Sequence, residues 1–393
     1  MKRALIINAV CGNGSTGRIT AKIASEYEAN GWEVRLVYGR DAYVPEHCRK
    51  WAVRIGNGIS VKLHGILTRL FDWHGTGLCS RLATKRFLKW AEAWGPDEVW
   101  LHNLHGYYIN YELLFAWIKR HPEMKVKWTL HDCWAFTGHC SHFLLTDCGR
   151  WQSGCFGCPE KREYPATLGL SAAKANWKKK RRAFCDVKNM RLITPSNWLA
   201  DLTRQSFLKE YPVEVVHNTI DLSVFKPTPS DFRERMGLNG KIIILGVASV
   251  WDRRKGLVDF LALQKLLNSG EKGQASFPKN DKVEHSYVII LVGLTERQIS
   301  SLTPGVIGIA RTNSTTELAE IYSAADWFFN PTHEDNYPTV NLEARACGCK
   351  IATYDTGGAA ETVEGYDKAW VLKGEDKCPE GFVRLLSKEM EAK

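Results

Sequence analysis

The chain has 393 residues, 44% of them apolar and 24% charged, with 12 cysteines and a formal net charge of +10. Those proportions are those of a soluble globular protein; the length exceeds one ordinary core and implies two domains, and no run of about 18 uncharged apolar residues argues for a spanning helix. The charge is uneven, with 32 Lys+Arg against 19 Asp+Glu in residues 1–220 and 21 against 24 in residues 221–393. An acidic partner is therefore expected for the first half: nucleic acid, an anionic membrane surface or a phosphorylated substrate.

The start, MKRALIINAV, is basic and then apolar, but its apolar run is only about seven residues and a Gly-rich turn follows. It reads as a first strand rather than a signal peptide, and a cytoplasmic chain is expected. Strands are predicted at 4–10, 33–38, 98–101, 125–130 and 190–194, with a helix over 19–30 between the first two. The pattern repeats at 213–217, 241–248, 287–292, 327–330 and 350–353. Strands alternating with helices imply parallel sheets covered on both faces. Residues 217–230, HNTIDLSVFKPTPS, hold Asn218, Pro227 and Pro229 and mark a boundary, giving domains of 1–220 and 221–393. Two such α/β domains are expected to meet at a cleft, with ligand at the carboxyl ends of strands. Residues 270–286 read as an exposed polar loop, and the tail from 364 carries the least information.

Several constellations along this frame carry chemistry. Gly12, Gly14 and Gly17 have the G-x-G-x-x-G spacing after the first strand, which lets backbone approach a diphosphate at a helix N-terminus; they also suit a plain tight turn. A dinucleotide enzyme would need an acid after the second strand, where Asp41 stands. Ile59, Leu63, Ile66, Leu67, Leu70 and Phe71 form a helical apolar stripe, either core or bilayer-facing. His131 ends a buried strand, a suitable position in a cleft and also one for a structural histidine. Cys140, Cys148, Cys155 and Cys158, spaced C-x7-C-x6-C-x2-C, point to structural zinc or to reduced free thiols. The run KANWKKKRR at 174–182 is either a solvated helix face or a patch drawn to anionic lipid.

In the second half, Arg253, Arg254 and Lys255 follow a strand and can neutralise a diphosphate leaving group. Residues 330–363 then place Glu334 and Asp335 in a turn after a buried strand. Asn336, Tyr337, Pro338 and Thr339 lead into a helix bearing Glu343, eight residues beyond Asp335. Carboxylates flanking a helix N-terminus suit a charged, hydroxyl-rich ligand such as a nucleotide sugar.

Taken together, NAVCGNGSTGRI, WTLHDCWAFTGHC, GRWQSGCFGCP, ASVWDRRKGL and EDNYPTVNLEARACG resemble the retaining glycosyltransferases of family 4, especially the capsule and exopolysaccharide enzymes of colanic-acid type. The resemblance runs to about Val363. It implies an α/β GT-B fold: two Rossmann-like parallel-sheet domains facing a central cleft, the first on the acceptor side with a Cys-rich insertion, the second binding a nucleotide sugar. By position, Gly14, Ser15, Thr16 and Gly17 would face the donor phosphates and His131 the transferred sugar. Arg254 and Lys255 would hold the diphosphate, with Arg253 able to replace Arg254. Asp335 and Glu343 would stand in the family's E-x7-E signature. Glu343 would then accept from the ribose, while Asp335 and the backbone from Asn336 to Thr339 read sugar hydroxyls. The first signature acid is Asp here, with Glu334 one residue earlier.

The resemblance also implies a lipid-linked oligosaccharide acceptor, peripheral contact with the inner face of the cell membrane, no nucleic-acid partner and no cofactor for catalysis. Retention in the family is described as same-face internal return without a settled protein nucleophile. Two other readings start from fewer residues: a zinc-containing nucleic-acid-binding protein from the cysteines and basic run, and an NAD-dependent oxidoreductase from the glycine spacing.

Overall fold

The structure, a computed structural model, describes residues 1–40, 43–73, 75, 78–270 and 287–391. Asp41 and almost all of the predicted 270–286 loop lie outside the described residues. The chain divides into two units, Met1–His217 and Asn218–Lys393.

In the first unit seven parallel strands run in the order β3-β2-β1-β4-β5-β6-β7. They are β1 Arg3–Ile7, β2 Glu33–Tyr38, β3 Ala52–Arg54, β4 Glu98–Leu101, β5 Lys125–Thr129, β6 Met190–Thr194 and β7 Val213–Val215. Their helices are α1 Gly14–Ala29, α2 Gly58–Phe71, α3 Leu78–Trp94, α4 Tyr111–Ile118, α5 Ala173–Phe184 and α6 Asn197–Gln205. The second unit orders six parallel strands β10-β9-β8-β11-β12-β13: β8 Ile242–Val247, β9 Tyr287–Val292, β10 Val306–Ile309, β11 Trp327–Asn330, β12 Lys350–Tyr354 and β13 Ala369–Leu372. Around them are α7 Phe232–Arg235, α8 Leu257–Gly270, α9 Glu296–Ile299, α10 Thr315–Ala324, α11 Thr339–Ala346 and α12 Pro379–Glu391.

Burial on both faces explains the continuous apolar runs of the central strands. In β1, Leu5 and Ile7 enter one core while Ile6 enters the other. In β8, Ile243 and Leu245 face one core and Ile244 the opposite one. The strand order reverses between β1 and β4 in the first sheet and between β8 and β11 in the second. Side chains on the loops after these strands converge at such switch points.

Four local readings change. Helix α1 begins at Gly14, five residues before the predicted start, because the last part of the glycine turn is already helical. The edge strands β3, β10 and β13 were not predicted; they are short and only half-buried, so they lack the apolar run that marks a central strand. The α2 stripe is exposed rather than core, with Ile59 at 75% and Ile66 at 52%. The basic run is also no uniform solvated face. Ala173, Trp177, Lys180 and Phe184 form the buried stripe of α5, and the Lys180 ammonium donates to the carbonyls of Trp134 (2.6 Å) and Thr137 (3.0 Å) beneath the Trp134 ring. Burial pushes that ammonium down to about 7. Lys174, Lys178, Arg181 and Arg182 remain outside. Among the described residues no helix is long and apolar enough to cross a membrane.

Candidate active site

At the switch point of the second sheet, two loops are fastened together. After β8, Asp252 caps the single helical turn Arg253–Lys255 by accepting from the Lys255 amide at 3.0 Å. Gly256 follows in the left-handed region at φ +74°, where a Cβ would collide with the Pro331 carbonyl of the loop after β11. The two loops also share hydrogen bonds. The His333 amide donates to the Arg254 carbonyl (2.8 Å), and the Arg254 guanidinium donates to the Glu334 carbonyl (2.9 Å). Lys255 and Asp335 close the junction with an ion pair between their side chains.

Beneath this junction lies a polar scaffold. Asp259 accepts from Tyr354 at 2.9 Å and pairs with His333 at 2.7 Å. Asn341, fully buried in the first turn of α11, accepts from Asn330 and donates to Thr362, both at 2.8 Å. Behind the loop, Gly357 at φ +58° packs so closely on the Asp335 carbonyl that a Cβ would collide with it, and the Gly358 amide donates to that carbonyl at 3.2 Å. Pro338 at the start of α11 makes no side-chain cap and the first turn carries no acid, so its leading amides keep the positive end of the helix open to an anion.

Of the residues singled out in the sequence, Arg254, Lys255, Glu334, Asp335, Asn336, Tyr337, Pro338 and Thr339 therefore gather at one place. Arg253 is exposed, and its side chain makes no hydrogen bond or ion pair among the described residues. Of the two adjacent acids, Glu334 is buried at 2% exposure, while the Asp335 carboxylate is the one that faces Lys255. Glu343 is buried on α11 and accepts from the Tyr322 hydroxyl at 3.1 Å.

The first unit has its own switch-point cluster. Gly17 packs with its Cα against the Gly12 backbone, where a Cβ would stand 3.2 Å away. Asn13 does not cap α1 but donates to the Tyr43 carbonyl at 2.8 Å, leaving Gly14, Ser15, Thr16 and Gly17 to form an uncapped first turn without acids. Buried Asn8 ties this loop to the end of β4, donating to the Val10 carbonyl (2.9 Å) and accepting from the Asn103 amide (3.3 Å).

His131 follows β5 and lies 3.0 Å, Nε2 to Nδ1, from His102, which follows the neighbouring β4. His105 pairs with Asp132 at 2.9 Å and meets the Tyr164 hydroxyl at 3.2 Å. Burial pushes His131 down to about 4, with Asp132 opposing and His105 reinforcing the fall. Burial, helped by His131, also lowers His102 far below its ordinary range. For Asp132, burial acts upward but is outweighed by His105, His142 and the Trp134 amide, and the carboxyl sits well below the usual range. His102 and His105 were missed in the sequence; the visible signal was an H-x-x-H spacing just after a buried strand.

Cys140, Cys148, Cys155 and Cys158 are free thiols that line one cavity of about 10 Å³. The Cys140 and Cys158 thiols are hydrogen-bonded, and the Gly138 amide donates to Cys155 Sγ at 3.1 Å. Among the described residues, no group of three or more His, Cys, Asp or Glu side chains is already arranged to hold a metal ion.

The model of the family described as Glycosyltransferase Family 4 matches residues 16–224, and that described as Glycosyl transferases group 1 matches residues 241–390. The chain belongs to glycosyltransferase family 4. Among family 4 relatives, the putative colanic acid biosynthesis glycosyl transferase WcaC of Escherichia coli (strain K12) is 25% identical over 279 residues, 69% of this chain and 62% of that protein. D-inositol 3-phosphate glycosyltransferase of Streptosporangium roseum is 26% identical over 190 residues, 45% of this chain and 41% of that protein. The chain thus spans less than two thirds of the length of either relative. Among solved structures, sucrose-phosphate synthase from Thermosynechococcus elongatus has a TM-score of 0.63 at 15% identity, over 98% of this chain and 90% of that one. WaaG, a glycosyltransferase involved in lipopolysaccharide biosynthesis, has 0.62 at 18%, over 98% and 90%. Anabaena HepE in complex with UDP and glucose has 0.58 at 14%, over 100% and 90%. The two parallel-sheet domains are those of the GT-B fold.

For this family 4 chain the histidine pair yields a direct prediction. A histidine whose folded pKa is depressed binds fewer protons folded than unfolded. Its stabilising contribution is present above about pH 6.5 and is lost as pH falls towards 4. Nitrogen-15 NMR of the twelve imidazoles, assigned with His102→Asn and His131→Asn, is expected to give a midpoint of about 4 for His131. A midpoint at or above 6.5 would contradict the buried, neutral pair.

Proposed function

We propose that the chain is a retaining glycosyltransferase that moves a sugar from a nucleotide-sugar donor to a lipid-linked oligosaccharide at an anionic membrane surface, in exopolysaccharide synthesis. One observation carries the donor half: Arg254, Lys255, Asp335 and the uncapped start of α11 converge at the β8–β11 switch point. Departure of the sugar from its anomeric carbon builds negative charge on the diphosphate. Arg254 and Lys255 stabilise that charge without a metal, and their fastening to the β11 loop means no reorganisation is needed at the moment of reaction. Asp335 orients the Lys255 ammonium and reads sugar hydroxyls together with the loop backbone from Asn336 to Thr339. Glu343, backed by Tyr322, accepts from the ribose. In the first unit, neutral His131 offers a hydrogen bond to the transferred sugar without placing a cation beside the developing oxocarbenium ion. The Gly14–Gly17 turn supplies backbone amides to the donor phosphates. The WcaC and HepE likenesses support an exopolysaccharide role and a UDP-type donor.

The cavity shared by Cys140, Cys148, Cys155 and Cys158 supports a structural zinc. It staples the segment between β5 and α5, where the only regular structure is three single helical turns. Thiol side chains turn inward about single bonds when metal binds, so a preformed set is not required.

Two measurements check these assignments. Lys255→Ala is expected to lower turnover by about 10²–10³-fold while the melting curve still shows a cooperatively folded protein, and wild-type turnover would remove Lys255 from the donor site. Elemental analysis of protein purified without chelator is expected to find about one zinc per chain, lost in a Cys155→Ser/Cys158→Ser variant. Metal at or below about a tenth of that, with four readily titrated thiols, would leave the cysteines as free thiols.

A further inference from the structure

A cavity of about 460 Å³ lies between α2 and α3 at the edge of the first sheet. Its lining includes Arg54, Arg86, Asn57, Ser60, Leu82 and Trp90. Arg54 ends β3, and Leu82, Arg86 and Trp90 follow one another at four-residue steps along a single face of α3. Neither guanidinium makes a hydrogen bond or ion pair among the described residues. Arg3, Arg35 and Arg182 of the same unit, by contrast, are all engaged by carboxylates.

The amino end of α2 opens into the same space. Its capping box satisfies the Ser60 amide through Asn57 at 2.9 Å, which leaves the Gly58 and Ile59 amides without an intrahelical acceptor. Gly56 at φ +66° also lines the cavity, and a Cβ there would stand 2.6 Å from Ser60 Oγ. Arg54, Arg86 and a helix N-terminus thus line one cavity and suit the several oxygen acceptors of a phosphate.

An apolar surface leads away from this basic cavity. Ile59, Leu63, Ile66 and Leu70 stand at steps of four, three and four along α2, with exposures of 75, 44, 52 and 51%. Leu168 and Leu170 extend the stripe, because the Leu168 amide donates to the Arg69 carbonyl at 2.8 Å, and Leu82 stands at the cavity itself. Exposed leucines are ordinary singly, but a continuous stripe marks a surface that contacts something apolar. A free nucleotide leaves the stripe unused, and nucleic acid offers it nothing.

We propose that this cavity binds the phosphate or diphosphate head of the lipid-linked acceptor, with the lipid's first isoprenoid or alkyl units lying along the exposed face of α2. The inference rests on the glycosyltransferase reading for the identity of the acceptor.

Farnesyl diphosphate, a short soluble amphiphile, is the probe, titrated calorimetrically into the full chain. Saturable binding is expected, weakened at least about tenfold by either Arg54→Gln or Arg86→Gln, as loss of a charge-assisted hydrogen bond implies. Ile66→Ser is expected to weaken farnesyl diphosphate while leaving inorganic diphosphate unchanged. Melting curves confirm that each variant is folded. Wild-type affinity in both arginine variants, or inorganic diphosphate binding as tightly as farnesyl diphosphate, would overturn the proposal. Displacement of the probe by phosphatidylglycerol vesicles at equal phosphate concentration would reassign the cavity to bulk membrane lipid and overturn the acceptor claim. UDP, GDP and dTDP are titrated in parallel. If none binds while farnesyl diphosphate does, the proposed donor site fails and the lipid-phosphate cavity stands.

Discussion

The ion pair between Lys255 and Asp335 is the interaction on which the proposed donor site depends. It joins the loop after β8 to the loop after β11, the two strands between which the sheet order reverses. A lysine alone on an exposed loop would be a mobile, screened cation worth little. Held against Asp335, with the adjacent Arg254 bonded to the Glu334 carbonyl and Gly256 pressed on Pro331, it becomes a fixed charge at the carboxyl edge of the sheet. Position, rather than charge count, is what fits these residues to the diphosphate-holding role proposed for them.

The two units solve different electrostatic problems. The second concentrates cations and helix amides where an anion is to be received. The first lowers the basicity of His131 and His102 by burial, stacking the two rings at 5.2 Å between centroids, while His105 pairs with Asp132. A neutral hydrogen-bonding group suits a sugar ring that acquires positive character; a cation would oppose it. Exposed cations of the first unit stand instead at Arg54, Arg86 and the outer face of α5.

Much of the frame was legible because central parallel strands must be apolar on both faces, and runs such as Ile242–Val247 or Trp327–Asn330 announce themselves. The edge strands β3, β10 and β13 did not, since they are only half-buried and carry no such run. At the donor loop, the residue types around Arg254, Lys255 and Asp335 could be read directly, but their meeting could not: 80 positions separate Lys255 from Asp335, and only the adjacency of β8 and β11 brings them together. His102 escaped notice for the same reason, because nothing in the local sequence says that β4 lies beside β5. Lys180 was hidden by its neighbours. A run of bases masks a 3.6-residue period, and burial follows Trp177 and Phe184 rather than charge. For α2 the pattern was legible and the choice between core and surface was not; an apolar stripe has the same spacing whether it is buried or exposed.

Hydrogen–deuterium exchange of the full chain, alone and with saturating UDP, GDP or dTDP, tests the central claim most directly. The account predicts that one of these diphosphates slows exchange of the amides in 253–256 and 334–346 together, since both loops close on one ligand. Unchanged exchange in those segments under every nucleotide, with any protection confined to other parts of the chain, would contradict it.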